Sequence, residues 1–143
     1  MRHIHRTLTA VAVATTVFAG PLASFAADVQ LPPEQRQGQV TFVTGGVGSD
    51  EWHAFERAQN QYPLTLEFAK QAQPRAEFLS DVQVVIQDMK GNEVLNTRTQ
   101  GPFLLANLPQ GEYKVTARYE GNTRQSTVKV DRASHRRVIF EWA

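Results

Sequence analysis

Asp50, Glu51, His53 and Glu56 crowd one short stretch of the chain. Asp50 and His53 stand three apart, so a helix would put a carboxylate and an imidazole on one face, where they can share a cation. A metal site needs further ligands. No second histidine follows at helical spacing, and His135 lies far along the chain. A solvated helix face is the simpler reading. Just upstream, Gly46-x-Gly48 begins like a dinucleotide fingerprint, in which glycines let backbone N–H groups approach a pyrophosphate at a helix N-terminus. Here the third glycine position holds Glu51, with Asp50 beside it, and two carboxylates repel a phosphate. No Gly-Lys-Ser/Thr follows, so this is not a P-loop either. The glycines read as a tight strand-to-helix turn.

Nucleophilic catalysis finds no setting. It needs a base beside the nucleophile and a third group that orients the base. Ser49, Ser80, Ser126 and Ser134 lie in no Gly-x-Ser-x-Gly elbow. Ser134 and His135 are neighbours, and neighbours on a strand point to opposite faces. The chain has no cysteine, which excludes disulfides, thiol nucleophiles, thiolate-bound metal and a lipid-modified cysteine. No catalytic residue, cofactor or metal is expected. The residues worth watching are those of a binding surface: Gly45, Gly46, Gly48, Asp50, Glu51, Trp52 and Phe55, a turn and helix that could contact a partner. Trp52, Phe55 and Trp142 are expected either to pack the helix on the rest of the domain or to form an exposed aromatic patch for a partner or a sugar ring.

The elements that must position these residues follow from pattern. Residues 1–26 resemble a secretory signal: Arg2 and Arg6, an uncharged run from Leu8 to Phe18, a Gly20-Pro21 break, then Ser24-Phe25-Ala26 with cleavage expected after Ala26. The run is short for a membrane anchor. Of the 15 basic residues two leave with the signal, so 13 face 14 acids over residues 27–143. That balance gives no basic excess for nucleic acid or an anionic membrane. A periplasmic or secreted domain follows, held by its core alone.

Residues 27–38, with Pro32-Pro33 and several glutamines, read as a flexible leader. Residues 39–61 read as a strand-helix element: a strand over 39–44, the glycine turn, then a helix capped by Ser49 with Trp52, Phe55 and Ala58 on its apolar stripe. Residues 62–143 alternate with period two in about seven short strands, over residues 62–69, 78–88, 93–99, 103–108, 113–120, 123–130 and 136–142. The fold class is therefore mostly β, an antiparallel sandwich with a small strand-helix element at its front.

The clearest segment of that sandwich is Gly101-x-Phe103, then Asn107-Leu108-Pro109-x-Gly111-x-Tyr113-x-Val115. It resembles the carboxypeptidase regulatory-like domain, the transthyretin-like (prealbumin-like) sandwich found beside metallocarboxypeptidases and in many bacterial exported proteins. The likeness covers roughly residues 62–142. It implies that Gly101, Phe103, Leu108, Pro109, Gly111 and Tyr113 are fold signature, with Phe103, Leu105 and Tyr113 facing one core. The family often carries an acid just before its Gly-x-Phe; this chain has Arg98-Thr99-Gln100. The chain also lacks the Tyr-Arg-Gly-Ser-type ending of related purine-ring hydrolases, finishing Phe140-Glu141-Trp142-Ala143. The whole arrangement is similar to a set of small proteobacterial periplasmic proteins with the same glycine turn.

The resemblance implies a non-enzymatic exported binding or interaction module. Its partner is expected to be an envelope protein or a carbohydrate. The alternative is a structural or assembly accessory that homodimerises through an exposed edge strand. A hydrolase or metal enzyme is the remote alternative.

Overall fold

The computed structural model describes Gly20 and residues 30–143. The expected signal sequence apart from Gly20, its expected cleavage position after Ala26 and residues 27–29 of the leader lie outside the described residues. The described chain runs β1 (Gln35–Gln37), β2 (Val40–Gly45), α1 (Ser49–Ala58), a 3-10 turn (Gln59–Gln61), β3 (Leu64–Lys70), β4 (Glu77–Phe78), β5 (Gln83–Asp88), β6 (Glu93–Arg98), β7 (Phe103–Asn107), β8 (Gly111–Tyr119), β9 (Asn122–Val130) and β10 (Arg136–Trp142). Two sheets result. The larger is ordered β1-β2-β7-β3-β10, with β4 on the end of β3; the smaller is β6-β5-β8-β9.

The larger sheet is the middle layer. Its strands β2 and β3 are buried on both faces apart from Lys70 at one end. Period-two alternation sends Leu64, Leu66 and Phe68 into the sandwich, where they meet Val84, Ile86, Tyr113 and Val115 of the facing sheet, with Phe140 beside Phe68 on the neighbouring strand. The opposite face carries Val43, Phe103 and Leu105, which pack under Phe55 and Ala58 of α1. The helix is also a topological necessity. Strand β7 lies between β2 and β3 and is antiparallel to both, so β2 and β3 point the same way. Joining two such strands requires a crossover, and α1 supplies it.

The sandwich of the sequence reading is present, with differences in detail. Ten strands appear among the described residues rather than about seven. Residues 35–37, expected in a flexible leader, pair with β2 as β1. The continuous strand expected over residues 78–88 is broken. Asp81 takes a left-handed φ of 62°, so β4 stays on the larger sheet while β5 joins the smaller one. Strand β10 pairs with β3 in parallel over its full length, Arg136 opposite Leu64 through Trp142 opposite Lys70; every other pair is antiparallel.

Phe103 and Leu105 do not share a core with Tyr113. They face the helix, while Leu104, Ala106 and Leu108 enter the sandwich with Tyr113. Trp142 likewise packs inside the sandwich, 6.5 Å from Phe68 and 5.9 Å from Tyr119, and not between helix and sheet. The Leu108-Pro109-Gln110-Gly111 turn is architecture: the Tyr113 hydroxyl donates to the Pro109 carbonyl at 2.6 Å and pins the turn to the strand it starts. At the start of β7 one hydroxyl holds the backbone. Thr44 Oγ1 accepts from the Gln100 N–H at 3.1 Å and donates to the Phe103 carbonyl at 2.8 Å. Among the described residues no helix is long and apolar enough to cross a membrane.

Candidate functional site

The glycine turn lies where β2 ends and α1 begins. Gly48 is the N-cap, at φ 85° and ψ 156°, and no side chain caps it. Ser49, expected to be the cap, is the first helical residue instead. The carboxylate of Glu51 reaches back and accepts the Gly46 N–H at 2.7 Å. It thus occupies the N–H that a phosphate would need, and it works at a helix N-terminus where negative charge is favoured. A Cβ on Gly45 would collide with that carboxylate oxygen and with the Phe55 ring. Gly101 packs its bare Cα on the Gly45 backbone, where a Cβ would overlap the carbonyl. Three glycines and one glutamate therefore lock β2, α1 and the start of β7 together.

From this lock an aromatic series leads outward. Phe55 is fully buried and stacks on Phe103 at 5.6 Å between centroids. Phe103 meets Trp52 at 4.5 Å, and Trp52 meets Phe78 at 4.3 Å, both tilted by about half a right angle. Phe78 ends the series 53% exposed, with Val47 nearby at 64%. Trp52, Phe78, Val47 and Pro102 line a concave cavity of about 500 Å³, to which Ser49, His53 and Ser80 add polar atoms. Its size suits a large side chain or a small molecule.

Of the sequence candidates, the structure brings Gly46, Gly48 and Trp52 to the cavity wall. Gly45 and Phe55 lie beneath it as packing. Glu51 is engaged with the turn, and Asp50 is exposed in the first helical turn. Of the residues expected as fold signature, Phe103, Leu108 and Tyr113 are buried, Gly101 packs on Gly45, the Pro109 carbonyl accepts from Tyr113, and Gly111 opens β8. Sequence reasoning missed Phe78. It has the same parity as Val82, Val84 and Ile86, so alternation placed it in the core; the break at Asp81 that turns it outward has no local signal.

The acid–base groups are mostly occupied. His53 Nδ1 lies 3.1 Å from Glu56 Oε2, both exposed, rather than beside Asp50 in a shared site. His135 Nδ1 donates to the Tyr62 carbonyl at 2.7 Å. Glu67, buried on the helix side of the middle sheet, is paired with Arg137. Among the described residues no group of three His, Asp or Glu side chains is placed to hold a metal ion. No family model matches this chain, and no curated protein matches it.

Proposed function

We propose that this chain is a non-enzymatic exported binding module of the carboxypeptidase regulatory-like, transthyretin-like type. It takes an apolar side chain of an envelope protein into the cavity between Trp52 and Phe78. The supporting observation is Phe78 itself: an aromatic ring more than half exposed, packed against a half-buried tryptophan, at the wall of a concave site. Interfaces concentrate their energy in such aromatic anchors and pockets. Export rests on the pattern of residues 1–26. The non-enzymatic reading is supported by the engagement of Glu51 and His53 with neighbouring groups.

The test uses a photoreactive residue in place of exposed Val47 in the mature chain, mixed with envelope proteins. A discrete adduct should form and should be lost in Phe78→Ser at an unchanged melting temperature. Adducts that survive Phe78→Ser would overturn the reading.

A second reading, a dimerising structural accessory of the envelope, is favoured by β10. This seven-residue strand ends the larger sheet with Ile139 55% exposed. An unpaired edge is a template for another strand. Light scattering on a dilution series decides it: a monomer at the highest concentration removes the dimer.

A further inference from the structure

The opposite end of the middle sheet carries a second, chemically different site. Strand β7 spans the distance between the two, five residues or about 17 Å. At this end four connections converge: the β1–β2 turn, the 3-10 turn before β3, the β7–β8 turn and the β9–β10 turn. Together they enclose a cavity of about 680 Å³.

Its wall is rich in carboxamides. Gln39, Asn60, Gln61 and Asn107 contribute, together with Ser134 and Arg132. None of these side chains hydrogen-bonds to another described residue, and no carboxylate lines the cavity. A carboxamide both donates and accepts, as does a hydroxyl. Tyr62, Pro63, Leu108 and Pro109 add apolar surface to the same cavity. The Tyr62 hydroxyl is turned to Glu34, donating at 2.8 Å.

His135 adds an unmet acceptor. Its Nδ1 donates to the Tyr62 carbonyl, so in the neutral ring Nε2 is a bare acceptor. Nε2 is buried and has no partner among the described residues. Such a group needs an explanation. Side chains at binding sites commonly change rotamer when a ligand arrives, which gives a ligand hydroxyl a route to it. A carboxylate cannot donate to Nε2, and Arg132 with no opposing acid disfavours an amine.

We infer that this cavity binds a neutral saccharide, its hydroxyls paired with the carboxamides and one apolar sugar face laid on the tyrosine and proline surface. The inference is independent of the Trp52–Phe78 cavity.

The test is calorimetry and amide-resolved NMR on the mature chain with maltotriose, cellotriose and chitotriose, and with acetate and inorganic phosphate as anion probes. At least one saccharide should bind and shift the side-chain amide signals of Asn60, Gln61 and Asn107. Asn60 and Asn107 are exposed, so the Asn60→Ala, Asn107→Ala double variant should keep its melting temperature while binding weakens about tenfold or more. Phe78→Ser, at the far end, should bind normally. The inference fails if no saccharide moves those amide signals, if binding survives the double variant, or if only the anions bind.

Discussion

The two faces of the middle sheet are covered unequally. On the sandwich face Phe42, Leu64, Leu66, Phe68, Leu104, Phe140 and Trp142 meet a whole second sheet, and all are nearly or fully buried. On the other face a single helix of ten residues covers Val43, Phe103 and Leu105 and leaves the margins open. Ile139 and Phe78 are exposed at those margins, and Glu67 is buried only with Arg137 as its partner. Continuous cover concentrates stability. Partial cover creates an aromatic margin that can accept another molecule without dismantling the core.

The largest effect should come from the fully covered face. Phe68 has no exposed surface and packs on Phe140 at 5.8 Å. Phe68→Ala should lower stability by about 3–5 kcal/mol through lost burial and the cavity left behind. Denaturant unfolding measures it as a lower midpoint at similar slope. An effect as small as that of a surface substitution would show that the sandwich face carries no more stability than the helix face.

Next is the junction between the faces. Gly101→Ala places a Cβ on the Gly45 carbonyl, where backbone rather than a movable side chain must yield. The expected loss is about 3 kcal/mol, at the upper end for overpacking. It should also disturb the Trp52 environment, because Gly45, Gly101 and Phe103 position that ring. A loss of stability with unaltered Trp52 fluorescence would separate the junction from the cavity.

How far the sequence reveals this arrangement depends on which signal each part carries. Strands β8 and β10 are legible because alternation is complete and one face alone is buried. Phe103 and Leu105 are not assignable by the same signal. Strand β7 is buried on both faces, so Phe103, Leu104, Leu105 and Ala106 form a continuous apolar run with no phase. The break at Asp81 is hidden because a single left-handed residue leaves the flanking hydrophobic parity intact. The parallel β10–β3 pair is hidden because pairing partners are non-local. The turn and helix of the candidate site were legible as residues; the cavity was not, since Phe78 and Pro102 reach it from distant segments.

A smaller effect tests the turn. Glu51→Ala leaves the Gly46 N–H without its acceptor and removes a favourable charge from the first helical turn. The expected loss is about 1 kcal/mol. Glu51→Gln keeps an acceptor oxygen and should recover part of it. Equal losses in the two variants would assign the effect to charge, and no loss in either would show that packing of the glycines alone sets the turn.

The smallest effect tests how the leader is tied to the half-covered face. Leu31 packs against the cluster under α1, and the Tyr62 hydroxyl donates to Glu34. Burial first, then the hydrogen bond and charge of Glu34, push the Tyr62 phenol up to about 12. In the unfolded chain it ionises near the ordinary value of about 10. Below that value both states keep the proton, and this contribution is fully present. Between the two values the unfolded chain releases its proton first, so stability falls as pH rises. Tyr62→Phe should flatten the alkaline decline in denaturation midpoints, and Glu34→Gln should flatten it in part by removing the nearby charge. Burial also raises Tyr113 and Tyr119 as the first cause for each, so some slope should remain in both variants. Absorbance titration of the native phenols gives an independent reading: the latest-ionising tyrosine should vanish in Tyr62→Phe. If the latest phenol persists there, Tyr62 is neither buried nor held by Glu34, and the leader is free of the half-covered face.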